Sequence, residues 1–140
     1  VVVVVVVCVC GGGGPMCVKR GGNPEKPGRV FVTDYPADQA ALARLNEDGS
    51  AARFELIVDG VEIANGYWEL LDANEHRERF ASDLAARASR GLPSRGADAA
   101  FLAALDAGLP TCSGVALGID RLVMIACGAT SLDDVLSFRA

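Results

Sequence analysis

The chain has little of what would mark it as secreted, membrane-bound or metal-stapled. Its five cysteines are an odd number without a CxxC pair, so neither a disulfide framework nor a zinc site is indicated. Cys112 and Cys127 sit among apolar residues and read as reduced core cysteines, which points to a cytoplasmic setting. The only long apolar run, the valine-rich residues 1 to 10, is far shorter than the roughly 20 residues that span a bilayer. It has no basic stretch before it and no A-x-A-like cleavage site, so it is a poor secretory signal and no membrane partner is expected. Basic excess is missing too. The net charge of -5 gives no footprint for non-specific nucleic-acid binding. The single histidine, His76, lies in the charged stretch DANEHRERF and is expected on a solvated helix face among i,i+4 ion pairs. With no Ser/His/Asp or Cys/His constellation, nucleophilic catalysis is not expected.

What is present is enough for one domain. A chain of 140 residues buries roughly 68–70% of its unfolded surface. Residues 1 to 28, VVVVVVVCVCGGGGPMCVKRGGNPEKPG, read as a low-complexity segment, disordered or artefactual, with a buried valine edge strand as the alternative. No function is assigned to it. From residue 29 the pattern is globular. RVFVTDY is a strand ending at Pro36, and ADQAALARL suits a short helix or turn. ARFELIV, Asp59-Gly60 and VEIANGYWEL form a hairpin, Asp-Gly being a strong two-residue turn signal. A helix follows, with Asp72 as cap and Glu75 as its capping-box partner, ending at Gly91. ADAAFLAALDAGL is a second helix. SGVALGI is a buried strand, DRLVMIACG a short apolar helix, and SLDDVLSF a final turn and strand. Grouped strands with helices inserted predict an α+β fold with a mainly antiparallel sheet.

The hairpin holds the chemistry. Glu55, Glu62 and Glu69 recur every seven residues on strands that otherwise look buried. A two-residue turn sets Glu62 across from Ile57, with Glu55 two positions along on the same face. Two carboxylates converging there need a cation between them, and magnesium with nucleotide phosphates is the usual tenant; a solvated acidic face is the equal alternative. Asn65, Tyr67 and Glu69 alternate onto one face, but Glu62 falls on the other if the strand is regular. A β-bulge near Ala64-Asn65-Gly66 would unite all four. Asn65 and Glu69 suit an ammonium group, with Tyr67 or Trp68 as a wall or cation–π face.

In GVALGIDRLVM (residues 114–124), Gly114 and Gly118 admit close approach of a ligand to the backbone. Asp120 is expected to cap the next helix. Arg121 then sits in its first turn, where amide donors and the dipole favour an anion and the guanidinium can fork onto phosphate.

This stretch resembles motif 3 of the class II aminoacyl-tRNA synthetases, and FELIVDGVEIANGYWEL is similar to the hairpin of their lysine-specific branch. Together with TDYPADQAALARL, DANEHRERF, RASRGLP and LPTCSGVALGIDRLVM, residues 26 to 140 most resemble the lysyl-tRNA synthetase paralogues that ligate (R)-β-lysine to elongation factor P. The resemblance implies ATP and magnesium held by Glu55 and Glu62, with Arg121 as the catalytic residue on the γ-phosphate. It implies an amino-acid pocket of Asn65, Tyr67, Glu69, Ala116 and Gly118, with Glu69 facing the side-chain amine. Ala116 stands where true lysyl-tRNA synthetases have glycine, which favours β-lysine over α-lysine and elongation factor P over tRNA; tRNA aminoacylation and a non-catalytic remnant are the alternatives. The family's homodimer interface (motif 1) and α-phosphate arginine (motif 2) precede this segment. Residues 29–140 are therefore expected to be the C-terminal portion of a catalytic domain that does not complete adenylation alone.

Overall fold

The computed structural model describes residues 28–94 and 96–138; the expectations for residues 1 to 27 lie outside them. Four strands, β1 (Arg29–Val32), β2 (Arg53–Val58), β3 (Val61–Trp68) and β4 (Ser113–Leu117), form one antiparallel sheet in the order β1-β2-β3-β4. The expected α+β class holds, because each strand pairs with its neighbour in sequence and the helices are inserted between strands.

The β2–β3 turn is the one the sequence demands. Asp59 and Gly60 both take positive φ, 48° and 80°, as a type I′ turn requires. From it the ladder runs Val58 to Val61 and Ile57 to Glu62, then jumps to Leu56 opposite Ala64. Ile63 is thus the extra residue of a β-bulge, one position ahead of the expected Ala64-Asn65-Gly66. Parity is repaired by that insertion: Glu62 and Asn65, three apart, come onto the same face.

Helix α1 (Ala73–Ser89) starts at Asp72, whose Oδ1 accepts from the backbone N–H of Asn74 and Glu75 at 2.8 and 3.0 Å. These bonds hold the exposed Asp72 carboxyl below its ordinary range. Glu75 does not reach back to complete a capping box; it pairs with Arg79 one turn on. Arg79 also donates to the carbonyls of Ala41 and Ala43, tying α1 to the loop over the buried cluster Ala40, Ala43 and Ala51. Helix α2 (Ala99–Asp106) is capped by Asp98 and lies against α1. Between them sits His76, which corrects the solvated reading. It is 1% exposed, its Nε2 is 2.7 Å from the Leu70 carbonyl oxygen, and Phe101 meets its ring edge-on at 5.4 Å.

Helix α3 (Ile119–Ala126) begins one residue earlier than expected. Its N-cap is Gly118 and not Asp120, which lies in the first turn. Gly118, having no side chain, supplies no side-chain cap bond. Further on, Leu132–Asp134 is a 3-10 turn capped by Ser131, and residues 131–138 form turn and bend in place of the expected final strand. Cys127 is exposed, against the core reading; Cys112 is half-buried, and neither is in a disulfide. No helix of the described residues is long and apolar enough to cross a membrane.

Candidate active site

Hydrogen-bonded pairing builds the site in rows. Val32, Glu55, Asn65 and Ala116 stand opposite one another in turn across all four strands, so their side chains share a face. The next row on that face is Arg53, Tyr67 and Gly114, and on the other side of Glu55 come Val30, Ile57 and Glu62. The opposite face carries Phe31, Phe54 and Trp68. There Phe54 lies over Gly66, where a Cβ would fall 2.3 Å from its ring, and the Arg44 guanidinium lies 4.0 Å from the Trp68 ring centre. Trp68 therefore does not wall the site. Tyr67 does.

The bulge also sets the start of α3. A bulged strand leaves backbone groups outside the ladder, and here they are taken by the β4–α3 junction. The amide of Gly118 donates to the Ile63 carbonyl at 2.8 Å, and Arg121 Nη1 donates to the Glu62 carbonyl at 2.8 Å. The same Nη1 stands 3.5 Å from Glu62 Oε2. Both side chains are more than 40% exposed, so the ion pair itself adds little stability. Its worth is positional: it keeps a guanidinium beside a carboxylate at the start of α3. A Cβ on Gly118 would make ordinary contacts with Arg121 and the Ile63 carbonyl, so steric need does not explain that glycine.

Charge is arranged unevenly along β3. Glu55 is paired with Arg53 Nη2 and accepts from Asn65 Nδ2 at 3.5 Å. The Tyr35 hydroxyl, desolvated and hydrogen-bonded to Glu55, is pushed up to about 12. Tyr67 is pushed up as well, mainly by burial, with Arg53 opposing and Glu55, Glu69 and Glu62 adding to the shift. All three acids are thus felt at one phenol. Glu69 differs from the other two, since burial alone pushes its carboxyl up and no cation offsets it.

Against this geometry stand the relatives. Residues 19–140 match the family model of class II tRNA synthetases (D, K and N). The chain belongs to the class II tRNA synthetases. It is also 53% identical over 116 residues to proteins of Salmonella dublin and Salmonella paratyphi B named elongation factor P–(R)-beta-lysine ligase, a match covering 81% of this chain and 35% of theirs. The chain spans about a third of the length of those relatives.

Within this synthetase chain, the structure brings Glu55, Glu62, Asn65, Tyr67 and Ala116 onto one face, with Arg121 joined to Glu62 and Gly118 to the bulge. Glu69 follows Tyr67 in alternation, just beyond the strand, where it bridges to Ala43. Sequence reasoning missed Arg53 and Tyr35. The signal for Arg53 was its parity with Glu55, but an arginine at a strand start reads as solvated. Tyr35 reaches the site only through tertiary packing, its backbone bridged to Ala51. Among the described residues no group of three or more His, Cys, Asp or Glu gathers to hold a metal ion. Glu55 and Glu62 offer hard carboxylate oxygens, the donor type magnesium takes, but each is already paired with an arginine.

Proposed function

We propose that this chain forms part of the active site of an ATP-dependent ligase that activates (R)-β-lysine as an adenylate and transfers it to a lysine of elongation factor P. The observation that carries the reading is the polarity of the β3 face. At one end stand Glu62 and Arg121 at the start of α3, with Glu55 midway in the Asn65 row; at the other, about 20 Å from Glu62 by strand rise, stands Glu69, with no cation paired to it among the described residues. A ligand with phosphates at one end and an ammonium at the other fits that polarity. The relatives' name supports the same substrate and acceptor.

In this reading Glu55 and Glu62 would hold a magnesium ion, which would supply positive charge to the phosphates. Arg121 receives the terminal phosphate on guanidinium edges that no described residue engages. Asn65, Tyr67 and Glu69 hold the amino acid so that its carboxylate oxygen attacks the ATP α-phosphorus, forming the acyl phosphate as the bond to pyrophosphate breaks. The chain's contribution is orientation and charge placement, which is where such reactions gain their rate. The acceptor amine then attacks the acyl carbon and AMP leaves. Residues 29–140 form the later part of the catalytic domain, and the intact protein is a cytoplasmic homodimer; Cys112 and Cys127, neither in a disulfide, suit a reducing compartment.

ATP–pyrophosphate exchange in the full-length protein, run with (R)-β-lysine and with α-lysine, tests the activation step. Transfer of labelled amino acid to elongation factor P or to tRNA tests the acceptor. Labelled tRNA would assign the protein to tRNA aminoacylation, and exchange with neither isomer would overturn the reading.

A further inference from the structure

Arg53 is the most fully engaged side chain of the site face, and nothing in the proposed chemistry uses it. It opens β2 opposite Tyr67, two positions from Glu55 on the same face, with a side chain only 15% exposed. Every edge of its guanidinium is occupied. Nη1 donates to the Gln39 carbonyl at 2.7 Å, Nη2 pairs with Glu55 Oε1, and Nε donates to Asn65 Oδ1 at 3.4 Å. The Tyr35 ring covers it, with Cζ 4.3 Å from the ring centre. Asn65 closes a triangle by donating from Nδ2 to the same Glu55 oxygen at 3.5 Å.

We infer that Arg53 is a positioning residue that locks Glu55 and Asn65 into one unit and so couples the nucleotide end of the site to the amino-acid end. The inference rests on the reading of Glu55 as a nucleotide-side acid and Asn65 as an amino-acid-side amide. Its physical ground is the planar fork. One rigid guanidinium makes three directed bonds in fixed relation, fixing the Asn65 amide with Oδ1 towards Arg53 and committing Oε1 of Glu55 to the interior of the face. A lysine ammonium keeps the charge but is a point donor on a flexible stem, and cannot hold both partners and the Gln39 carbonyl at once. Because Glu55 shares its surroundings with Glu62 and Glu69, loss of the fork frees a carboxylate to move away from its like-charged neighbours.

The test uses Arg53→Lys and Arg53→Gln in the full-length protein, with magnesium-ATP affinity read by calorimetry, melting temperature, and the KM-against-kcat split in pyrophosphate exchange. Arg53→Lys is expected to keep a melting temperature near that of the parent while weakening magnesium-ATP binding roughly ten- to a hundredfold, the range for a lost charge-assisted bond. Adding Asn65→Ala to Arg53→Lys is expected to cost much less than the two changes made separately, because the pair acts as one unit. Parental affinity in Arg53→Lys, or strict additivity with Asn65→Ala, overturns the inference. So does failure of both Arg53 variants to fold, which would make the residue purely structural. If the parent binds magnesium-ATP but activates neither lysine isomer, the functional reading fails while the calorimetric cycle still decides the role of Arg53.

Discussion

At the scale of single residues, the proposed function gives Ala116 and Glu69 separate parts in choosing a substrate. Ala116 stands directly opposite Asn65, so its methyl group intrudes on the part of the face where an amino acid would lie. Ala116→Gly is expected to deepen that pocket and shift preference from β-lysine towards α-lysine by roughly 10–200-fold, the range for one methyl group in a pocket. Pyrophosphate exchange with the two isomers reads the ratio directly, and an unchanged ratio would remove Ala116 from the pocket. Glu69 gives a second handle through protons. Its carboxyl is raised by burial from 4.5, so the free protein gains stability from protonation below that value and loses it as pH rises through the raised one. An ammonium ligand favours the carboxylate and must expel the proton. Binding of lysine in the pH window between the ordinary and the raised carboxyl value should therefore release protons, seen as a calorimetric enthalpy that differs between buffers of unlike ionisation enthalpy. Buffer-independent enthalpy would mean the amine does not reach Glu69.

Elements show why some of the site was legible and some was not. The hairpin was readable because Asp59-Gly60 fixes the turn, and a fixed turn fixes every pair outward from it. Even the bulge was foreseeable, since the acids could share a face with Asn65 only by breaking alternation; its position at Ile63 depended on which carbonyls α3 would claim. His76 was not readable. Its neighbours in sequence are charged, and the aromatic rings that bury it come one turn along the same helix, from Phe80, and from α2, from Phe101. Its Nδ1 is buried without a partner, so ring packing and the Leu70 bond carry the residue. His76→Ala is expected to cost about 3 kcal/mol or more, combining a cavity with an orphaned carbonyl. His76→Phe keeps the ring and should recover part of that loss; urea melts of both variants check the order. In the sheet, Gly66→Ala would drive a methyl into the Phe54 ring and close to the Gly114 carbonyl, at 2.3 and 3.0 Å. Overpacking of that kind costs about 1–3 kcal/mol, and a melting temperature equal to the parent's would show that Phe54 turns aside freely.

For the molecule as a whole, the site is a joint between segments distant in sequence. Glu55 and Glu62 belong to the hairpin, whereas Arg121 comes from α3, held to β3 through the bulge carbonyls. A nucleotide that bridges them cross-links the hairpin to the β4–α3 unit and stabilises the folded state by mass action. At a hundredfold excess over its dissociation constant the gain is about 2.7 kcal/mol. For a chain of this size that raises the melting temperature by on the order of 10 °C. On the proposed reading the effect should require magnesium, because the two arginines already pair with Glu55 and Glu62 and leave the face net negative toward a bare triphosphate. ATP with magnesium is therefore expected to raise the melting temperature, and ATP with EDTA to leave it near the ligand-free value. Glu62→Gln should reduce the magnesium-dependent part, since it removes one of the two carboxylates while leaving the backbone carbonyl that anchors Arg121. Equal stabilisation with and without magnesium would show that the nucleotide docks on Arg121 and the helix start alone, and that the paired glutamates serve something other than a divalent ion.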